Sequence, residues 1–446
     1  MKTPSYQQII AMAIPIILAN STTPLLGLAD TAVVGNFAST AHLGAIAVGA
    51  LIFSFIYWGF GFLRMSTTGF IAQAAGQQDN QAVISVLVRA LLLAAGLGLA
   101  ILILQRPLIK ISLWLFGAST EVETLVAEYF SVRIWGAPAT LANYVILGYF
   151  IGNGLNRTLL LVQLCLNGIN ILLDLLFAGY LDMGAKGVAL GTLLAEWSTL
   201  FLGLRIAHNH AKAHFQFSLN QLPWVKILDR QEIKHTLQAN SDIMIRTLFL
   251  LLGFAIFTDQ AARFGDTQLA ANHILLQFIS FSAFFLDGFA YVSEYYVGQA
   301  KGQRALPLFR KVVYRTSVLA AITGFLLACT MGVLGMPLIA LLTQSEPVQL
   351  AANTYLMFAL CYIALSSAAF QLDGIFIGAT YTKALRNASV MAALVFLVLS
   401  VVLVPPFSNH GLWTAFIGFI VLRAVFLGFY FPGLQRQFNT TAMSPD

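Results

Sequence analysis

Two aspartates lie inside long apolar stretches of the chain, where no water is at hand to stabilise a carboxylate. Asp30 belongs to the first of these stretches and Asp174 to the fifth. An ionisable side chain within a membrane helix is costly and by default indicates a functional site. Asn170 lies four residues before Asp174, so a helix places both on one face, and Thr192 in the next stretch adds a hydroxyl.

This set of oxygens predicts a site that binds a positive particle. Burial and repulsion between two nearby carboxylates both favour the protonated form of a carboxyl group. Carboxylate, amide and hydroxyl oxygens also suit a hard cation, so a proton and Na⁺ both remain candidates. The competing interpretation is that the two aspartates only hydrogen-bond to neighbouring helices. The cost of an intramembrane charge favours the functional role.

A proline interrupts the same apolar stretch that contains the first aspartate. Pro15 lies fifteen residues before Asp30. A proline inside a helix removes one backbone hydrogen bond and permits a kink. We expect the first helix to bend near Pro15 when the proton or cation occupancy of Asp30 changes. Because many membrane helices tolerate proline without moving, a static kink is the alternative.

Other charged residues within apolar stretches give weaker predictions. Asp242 and Arg246 are four residues apart on one predicted helix, so we expect them to pair with each other. Four acidic residues also interrupt apolar runs, and structural and functional roles are equally favoured for them: Glu196, Asp287, Glu294 and Asp373. Glu294 lies close to the cytoplasmic end of its predicted helix, where its side chain reaches water.

The composition requires lipid as the solvent of most of the surface. Of the 446 residues, 59% are hydrophobic and 9% are charged, and the mean hydropathy is +0.81. A soluble domain has about 25% charged residues, so a soluble enzyme is excluded. One membrane-spanning helix needs about 20 apolar residues, and the continuous runs exclude a β-barrel. The chain contains twelve such runs: 9–35, 44–74, 83–104, 123–151, 158–181, 186–206, 236–262, 269–298, 312–334, 348–378, 384–405 and 411–432.

The distribution of basic residues predicts the orientation of these spans. If the N-terminus is cytoplasmic, fifteen Lys and Arg residues lie in or next to cytoplasmic segments and four lie outside. This asymmetry is the positive-inside pattern, so we expect both termini to be cytoplasmic. The net charge of +6 is then a signal of topology, and we expect no nucleic-acid partner.

The two halves of the chain resemble each other at one fixed shift. The segment Gln73–Gln77 matches Gln299–Gln303, and Gly148–Gly152 matches Gly374–Gly378, both at a shift of 226 residues. Two matches at one shift indicate an internal duplication of six helices. Such halves are parallel repeats about an axis along the membrane normal.

A polar stretch separates the two copies. We therefore predict an N-terminal six-helix lobe at 1–207, a cytoplasmic linker at 208–235 and a C-terminal six-helix lobe at 236–446. In transporters built from repeats, substrate sites lie near the midplane of the membrane, between or within the halves.

The motifs of several other protein classes are absent from the sequence. It has no phosphate-binding loop with Lys-Ser/Thr, no zinc-ligand spacing and no Gly-x-Ser-x-Gly elbow. We therefore expect neither an ATP-driven pump nor an enzyme, and no cofactor. An ion gradient remains as the source of energy.

Four segments resemble the multidrug and toxic compound extrusion (MATE) transporters of the DinF-like subfamily. They are LLGLADTAVVG at 25–35, GFGFLRMSTTG at 59–69, FFLDGFA at 284–290 and LDGIFIGA at 372–379. The resemblance implies an all-α membrane protein, a V-shaped bundle of twelve transmembrane helices in two six-helix lobes related by pseudo-twofold symmetry. It also implies a proton- or sodium-responsive site in the N-terminal lobe, formed by Asp30, Asn170, Asp174 and Thr192, with a hinge at Pro15.

These observations predict a secondary-active multidrug exporter. It would export amphiphilic, often cationic organic compounds by H⁺ or Na⁺ antiport with alternating access, as a monomer in the bacterial cytoplasmic membrane. A flippase for lipid-linked precursors, of related architecture, is the first alternative, but it would need a basic central cavity for phosphates. A channel is the second, since it would need no coupling between ion binding and helix position.

Overall fold

All long elements of the described chain are helices. The computed structural model describes the backbone of residues 3–37, 40–116, 119–215 and 222–440, with the side chains of 23–37, 40, 116, 439 and 440 left undescribed. The helices are α1 (Tyr6–Phe37), α2 (Thr40–Trp58), α3 (Phe62–Gly76), α4 (Asn80–Ile103), α5 (Gln105–Phe116), α6 (Thr120–Arg133), α7 (Ala137–Gly152), α8 (Asn156–Asp174), α9 (Gly184–Phe215), α10 (Trp224–Ile227), α11 (Arg230–Ala262), α12 (Asp266–Gly302), α13 (Leu306–Leu342), α14 (Glu346–Gly378) and α15 (Thr382–Thr440).

The predicted membrane spans are found as helices. Within the described residues, ten helical segments are long and apolar enough to cross a membrane. The last of them, Thr382–Phe438, contains two predicted spans, because the backbone of Ser408 leaves the helical conformation between them, with φ 49° and ψ −129°. The first predicted span lies in α1. These segments account for the twelve predicted stretches.

The chain forms two compact units. The N-terminal unit comprises Leu18–Leu237, and the C-terminal unit comprises Met1–Ile17 together with Gln238–Asp446. The start of α1 therefore belongs to the C-terminal unit, where Ala13 and Ile17 contact the helix α12 at Gly288. The predicted lobe boundaries at 207 and 236 differ from this division at the N-terminus of the chain.

The internal repeat extends from the sequence to the packing of helices. In the N-terminal unit, Gly148 of α7 lies so close to α3 that an added Cβ would be 2.6 Å from the carbonyl oxygen of Arg64. In the C-terminal unit, an added Cβ at Gly374 of α14 would be 2.9 Å from the carbonyl carbon of Ala290 in α12. Both residues of the second pair follow those of the first by 226 positions, so the duplication preserves this close helix contact.

The turns after these helices repeat in the same way. Asp79 donates its backbone N–H to the carbonyl of Ala74 (3.1 Å), and Ala305 donates to Ala300 (2.9 Å) at the equivalent position. Each turn satisfies free carbonyls at a helix C-terminus, with a left-handed residue after the helix. That residue is Gln78 (φ 59°) in the first copy and Arg304 (φ 54°) in the second.

Helices of the N-terminal unit are interrupted where their counterparts are continuous. Residues 59–61 separate α2 from α3, Leu104 separates α4 from α5, and a 3₁₀ segment at Ile134–Gly136 separates α6 from α7. At a shift of 226 these positions fall inside α12, α13 and α14, which run without a break.

Glycine and proline explain these interruptions. Pro138 cannot donate a backbone hydrogen bond to the 3₁₀ segment before it, and Pro107 has the same effect near the start of α5. The segment between α2 and α3 contains Gly59 and Gly61, which have low helix propensity. The residues at the equivalent positions of the second copy are neither glycine nor proline: Ala364, Val333, Phe285 and Asp287.

The segment after α9 is fixed to the N-terminal unit by one buried arginine. Arg89 of α4 donates hydrogen bonds to the backbone carbonyls of Lys226 (2.7 Å) and Ile227 (3.1 Å) in the short helix α10. Lys226 also forms an ion pair with Asp79 at 3.3 Å. These contacts hold α10 against the start of α4.

Candidate functional site

The predicted carboxylate site lies at the end of α8. Asp174 is the last residue of this helix and is fully buried, and Asn170, one turn earlier, is 1% exposed. A π-helix at Leu175–Tyr180 follows directly. Such segments are rare and often occur at functional sites.

Helix α9 completes the site from the opposite side. Thr192 accepts a hydrogen bond from the Nδ2 of Asn170 at 3.2 Å and donates to the carbonyl of Val188 at 3.0 Å. An added Cβ at Gly191 would overlap Oδ1 of Asp174. Glycine is therefore required here, because it lets the carboxylate lie against the backbone of α9. The structure thus brings together three of the four predicted residues.

The fourth predicted residue and the predicted hinge lie in α1. The side chain of Asp30 lies outside the described part of the chain, so its role stays a prediction. Pro15 is buried and belongs to the short N-terminal segment of the C-terminal unit. It lies three residues before Leu18, where the N-terminal unit begins.

The donor atoms of this site fit a proton or a hard cation. Among the described residues, the Oδ1 of Asn170 is buried and has no hydrogen-bond partner. A carboxylate, an amide oxygen and a hydroxyl are ligands that suit Na⁺. Within the same part of the chain, no group of three or more His, Cys, Asp or Glu side chains could hold a metal ion, so a transition-metal centre has no support there.

Further buried polar side chains line the N-terminal unit near this site. Asn167, one turn before Asn170, is 7% exposed, and neither of its side-chain polar atoms has a hydrogen-bond partner in the described chain. Thr199 of α9 is 2% exposed, and its hydroxyl also has none. Neither residue was predicted from the sequence, although Asn167 lies on the same helical face as Asn170 and that spacing was the available signal.

The predicted pairing of Asp242 with Arg246 is wrong. Asp242 accepts hydrogen bonds from Arg386 (2.7 Å) and from the hydroxyl of Thr382 (3.0 Å) of α15. Arg246 instead donates to Asp373 of α14. Neighbouring helices supply these partners, and a pair four residues apart on one helix contributes only about 0.2–0.5 kcal/mol.

Two guanidinium groups share one carboxylate oxygen in the C-terminal unit. Arg423 of α15 donates to Oδ2 of Asp373 at 2.6 Å, and Arg246 donates to the same atom. All three residues are at most 8% exposed. The sequence favoured a structural and a functional role for Asp373 equally. This network favours the structural role, because it links three helices.

Glu294 differs from its prediction as well. Its side chain was expected to reach water, but it is 1% exposed. The reason is close helix packing: an added Cβ at Gly378 of α14 would be 2.8 Å from the Cα of Glu294. This contact is the second-copy equivalent of Gly152 against Thr68.

Comparison with known proteins decides the family. The MatE family model matches residues 15–176 and 243–402, which are most of the chain and include Pro15, Asn170 and Asp174. The chain belongs to the MATE family. The two matched segments correspond to the two copies of the internal repeat, so the family match and the duplication agree.

Relatives of this MATE protein cover nearly its whole length. It is 37% identical to DNA damage-inducible protein F of Escherichia coli (strain K12) over 423 residues, which cover 93% of this chain and 90% of that protein. It is 24% identical to the probable multidrug resistance protein NorM of Shewanella oneidensis over 439 residues, covering 94% of this chain and 93% of that protein. The predicted DinF-like resemblance is confirmed.

A solved structure has the same fold. The crystal structure of MATE in the straight conformation aligns with a TM-score of 0.86 at 19% identity, covering 99% of this chain and 98% of that chain. The all-helical membrane fold is thereby confirmed. Since MATE proteins are transporters, this chain is a multi-pass membrane transporter and is not an enzyme.

Proposed function

We propose that this MATE protein is a secondary-active exporter of amphiphilic, often cationic organic compounds, driven by antiport of H⁺ or Na⁺ with alternating access. The observation that carries the proposal is the group formed by the buried Asn170 and Asp174 and the half-buried Thr192. A carboxylate buried in a membrane helix is costly unless a positive particle accompanies it. The occupancy of this site therefore changes the free energy of the surrounding helices.

Coupling requires that the inward-facing and outward-facing states bind the ion with different affinities. An ion with equal affinity for both states does not shift the equilibrium between them. Asp30 would supply a second carboxylate in one state. Pro15 would be the point at which α1 bends, and its position three residues before the N-terminal unit supports this role. Bending there would move Asp30 relative to Asp174 and so change the ion affinity.

The second copy lacks this chemistry, which supports a single coupling site. At a shift of 226, Phe396 replaces Asn170 and Ser400 replaces Asp174 in α15. Phe396 is fully buried and packs against Phe419 with ring centroids 5.3 Å apart. The equivalent position is therefore filled by an apolar core.

The class of substrate rests on charge and on relatives. An acidic site in a chain with 12% aromatic residues suits organic cations, and a relative is named a probable multidrug resistance protein. The flippase alternative would need free basic groups for phosphates. The buried Arg246 and Arg423 do not offer this, because both donate to Asp373.

We further propose the topology that the basic residues predict. Both termini would be cytoplasmic in a bacterial cytoplasmic membrane, and the protein would function as a monomer. We also propose an N-terminal lobe at 1–207 and a C-terminal lobe at 236–446, joined by the linker at 208–235.

Transport into liposomes tests the proposal. The purified protein is reconstituted, and ethidium transport is measured with an H⁺ gradient or a Na⁺ gradient imposed separately. We expect transport with at least one gradient and its loss in Asp174→Asn. The matched control is Asp182→Asn, since Asp182 is exposed in a turn with φ 50°, a conformation that Asn tolerates. Wild-type transport by Asp174→Asn, or transport that needs no gradient, would contradict the proposal.

A further inference from the structure

A second buried carboxyl group lies in the N-terminal unit, one helical turn from the candidate site. Glu196 follows Thr192 by four residues on α9, so both side chains lie on one face. Glu196 is 7% exposed. It lies near the middle of this long helix, further from the end of α9 that Asp174 contacts.

The 3₁₀ segment between α6 and α7 makes room for this carboxyl group. An added Cβ at Gly136 would overlap Oε2 of Glu196 and would be 3.4 Å from its Cδ. The neighbouring backbone is tied to α9 on both sides of the carboxyl group. Trp197 donates its Nε1–H to the carbonyl of Trp135 at 3.2 Å, and Asn143 donates to the carbonyl of Glu196 at 3.0 Å.

The nearest positive charge does not pair directly with Glu196. Arg133 at the end of α6 donates to the hydroxyl of Tyr129 at 2.6 Å, and its Cζ lies 4.8 Å from the ring centroid of Phe53. The two residues interact electrostatically, but no ion pair within 4.0 Å joins them among the described residues. The guanidinium therefore compensates the charge of the carboxylate only in part.

The polar groups closest to Glu196 besides Arg133 are uncharged hydroxyls. Glu196 lies near the hydroxyls of Tyr57 in α2 and Tyr144 in α7, and the hydroxyl of Thr140 interacts with it. Of the other helices that pack on α9, α8 contributes Asp174 beside Gly191, and α4 contributes Arg89, which binds α10.

Two polar atoms around this carboxyl group are buried without a hydrogen bond. They are Oε2 of Glu196 and the hydroxyl of Tyr57, within the part of the chain described here, and both side chains are more than nine-tenths buried. A buried carboxylate that has no direct ion pair, and one of whose oxygens has no hydrogen bond, is unfavourable, and binding a proton removes its charge.

We propose that Glu196 is a second proton-binding residue of the N-terminal unit, and that its protonation changes its contact with the 3₁₀ segment at 134–136. Proton binding at Glu196 does not depend on the transport proposal, but its part in coupling rests on that function. Because Thr192 lies between the two carboxyl groups, a proton site on each side of it would link the ion site to the break between α6 and α7.

Infrared difference spectroscopy tests proton binding directly. The protein is placed in lipid nanodiscs, and a step from alkaline to acidic pH is applied with no gradient or substrate. We expect a carbonyl stretch of a protonated carboxyl group that shifts when glutamate is ¹³C-labelled. This band should be lost in Glu196→Gln and kept in Asp174→Asn.

The matched control is Glu128→Gln, because Glu128 is exposed on the neighbouring helix α6. It should leave the labelled band unchanged. Glu196→Asp keeps a carboxyl group at the site if Glu196→Gln fails to fold, and it should replace the glutamate band with an unlabelled one. A band that persists in Glu196→Gln, or no labelled band in the wild type, overturns the proposal.

The role in coupling has its own readout. The initial rate of ethidium transport is measured over a range of pH, and we expect Glu196→Gln to lose much of the pH dependence that the wild type shows. An unchanged profile would overturn the coupling role. Absence of gradient-driven transport in the wild type would defeat the proposed function, yet leave the infrared result for Glu196 standing.

Discussion

The two units share one duplicated plan but differ in how their helices are built. In both, a glycine-lined contact joins equivalent helices, and the same left-handed turn follows. The N-terminal unit interrupts its helices at 59–61, at Leu104 and at Ile134–Gly136, whereas α12, α13 and α14 are continuous. The first copy therefore has helix breaks at places where the helices of the second copy are continuous.

The two units also differ in whether their buried charged side chains form ion pairs. In the N-terminal unit, the buried Glu196 has no direct ion pair among the described residues, and its Oε2 has no hydrogen bond. The C-terminal unit neutralises Asp373 with two arginines. Buried charges that are paired hold helices together, whereas unpaired ones respond to protons or cations. Under the proposed function, the N-terminal copy would respond to the ion and the C-terminal copy would supply a stable frame.

The largest effect is expected from the ion network of the C-terminal unit. Asp373→Asn would leave the guanidinium groups of Arg246 and Arg423 buried without a carboxylate. Breaking a buried pair in this way costs about 3–5 kcal/mol of unfolding free energy. Thermal unfolding in detergent measures the loss. The control Asp259→Asn removes the exposed pair with Arg263, whose side chains are 60% and 67% exposed, and should change little. Equal melting temperatures for both variants would refute the idea of a paired frame.

The close helix contact of the two copies gives the next largest effect. Gly148→Ala and Gly374→Ala should each cost about 1–3 kcal/mol, because the new Cβ overlaps the backbone of the facing helix. Similar losses in thermal unfolding would show that the repeat preserves its packing. Gly96→Ala is the control, since nothing lies within 4 Å of a Cβ at this position. If only one of the two variants loses thermal stability, the close helix contact is not equally important in the two copies.

A smaller effect of opposite sign is expected at one interruption. Gly61 has helical dihedral angles, φ −55° and ψ −18°, and an added Cβ would meet only the carbonyl of Trp58 at 3.5 Å. Gly61→Ala should therefore stabilise the N-terminal unit by about 0.5–1 kcal/mol. If the interruption serves movement, the ethidium transport rate should fall while the melting temperature rises. Phe285→Gly, at the position equivalent to Gly59, introduces a glycine into the continuous helix α12, removes the ring contact with Phe281 and should lower the melting temperature.

The smallest effect concerns the cap of α4, which the second copy lacks. Asp79 accepts the N–H of Ala82 at 2.9 Å, whereas Ala305 provides no side-chain cap for α13. Burial alone would raise the pKa of Asp79, but the Ala82 N–H and the Lys226 ammonium hold the pKa below its ordinary value. This stabilisation is present above the unfolded pKa and is lost as the pH falls through the folded one.

Lys226→Met isolates the ion-pair part of that effect. We expect a loss of about 0.2–1 kcal/mol at neutral pH, because the pair is exposed. The difference from wild type should shrink on acidification, which unfolding measured over a range of acidic pH would show. A difference independent of pH would exclude the ion pair as its cause.

The sequence predicted those features that depend on local pattern. The length of the apolar stretches predicted the membrane spans. The matching segments Gly148–Gly152 and Gly374–Gly378 predicted the internal duplication. The spacing of Asn170 and Asp174 predicted their common face, and the structure places Thr192 beside them. Their role in ion coupling stays a prediction.

The remaining features depend on tertiary contacts that no single segment encodes. Asp242 binds Arg386 because α15 passes beside α11, which spacing along one helix cannot reveal. The importance of Glu196 depends on the 3₁₀ segment at Gly136. The π-helix after Asp174 also depends on packing against α9. Long-range contacts decide each of these cases.

The equivalent turns carry a consequence for tracing ancient duplications. One left-handed position is held by Gln78 and Arg304, and another by Gly154 (φ 72°) and Thr380 (φ 49°). Three different side chains, those of Gln78, Arg304 and Thr380, thus occupy a conformation that glycine adopts without strain. A search for residue identity would pass over these positions, whereas a comparison of backbone angles would pair them at once. At these turns the common origin of the two copies is therefore preserved in the backbone dihedral angles and not in the residue identities.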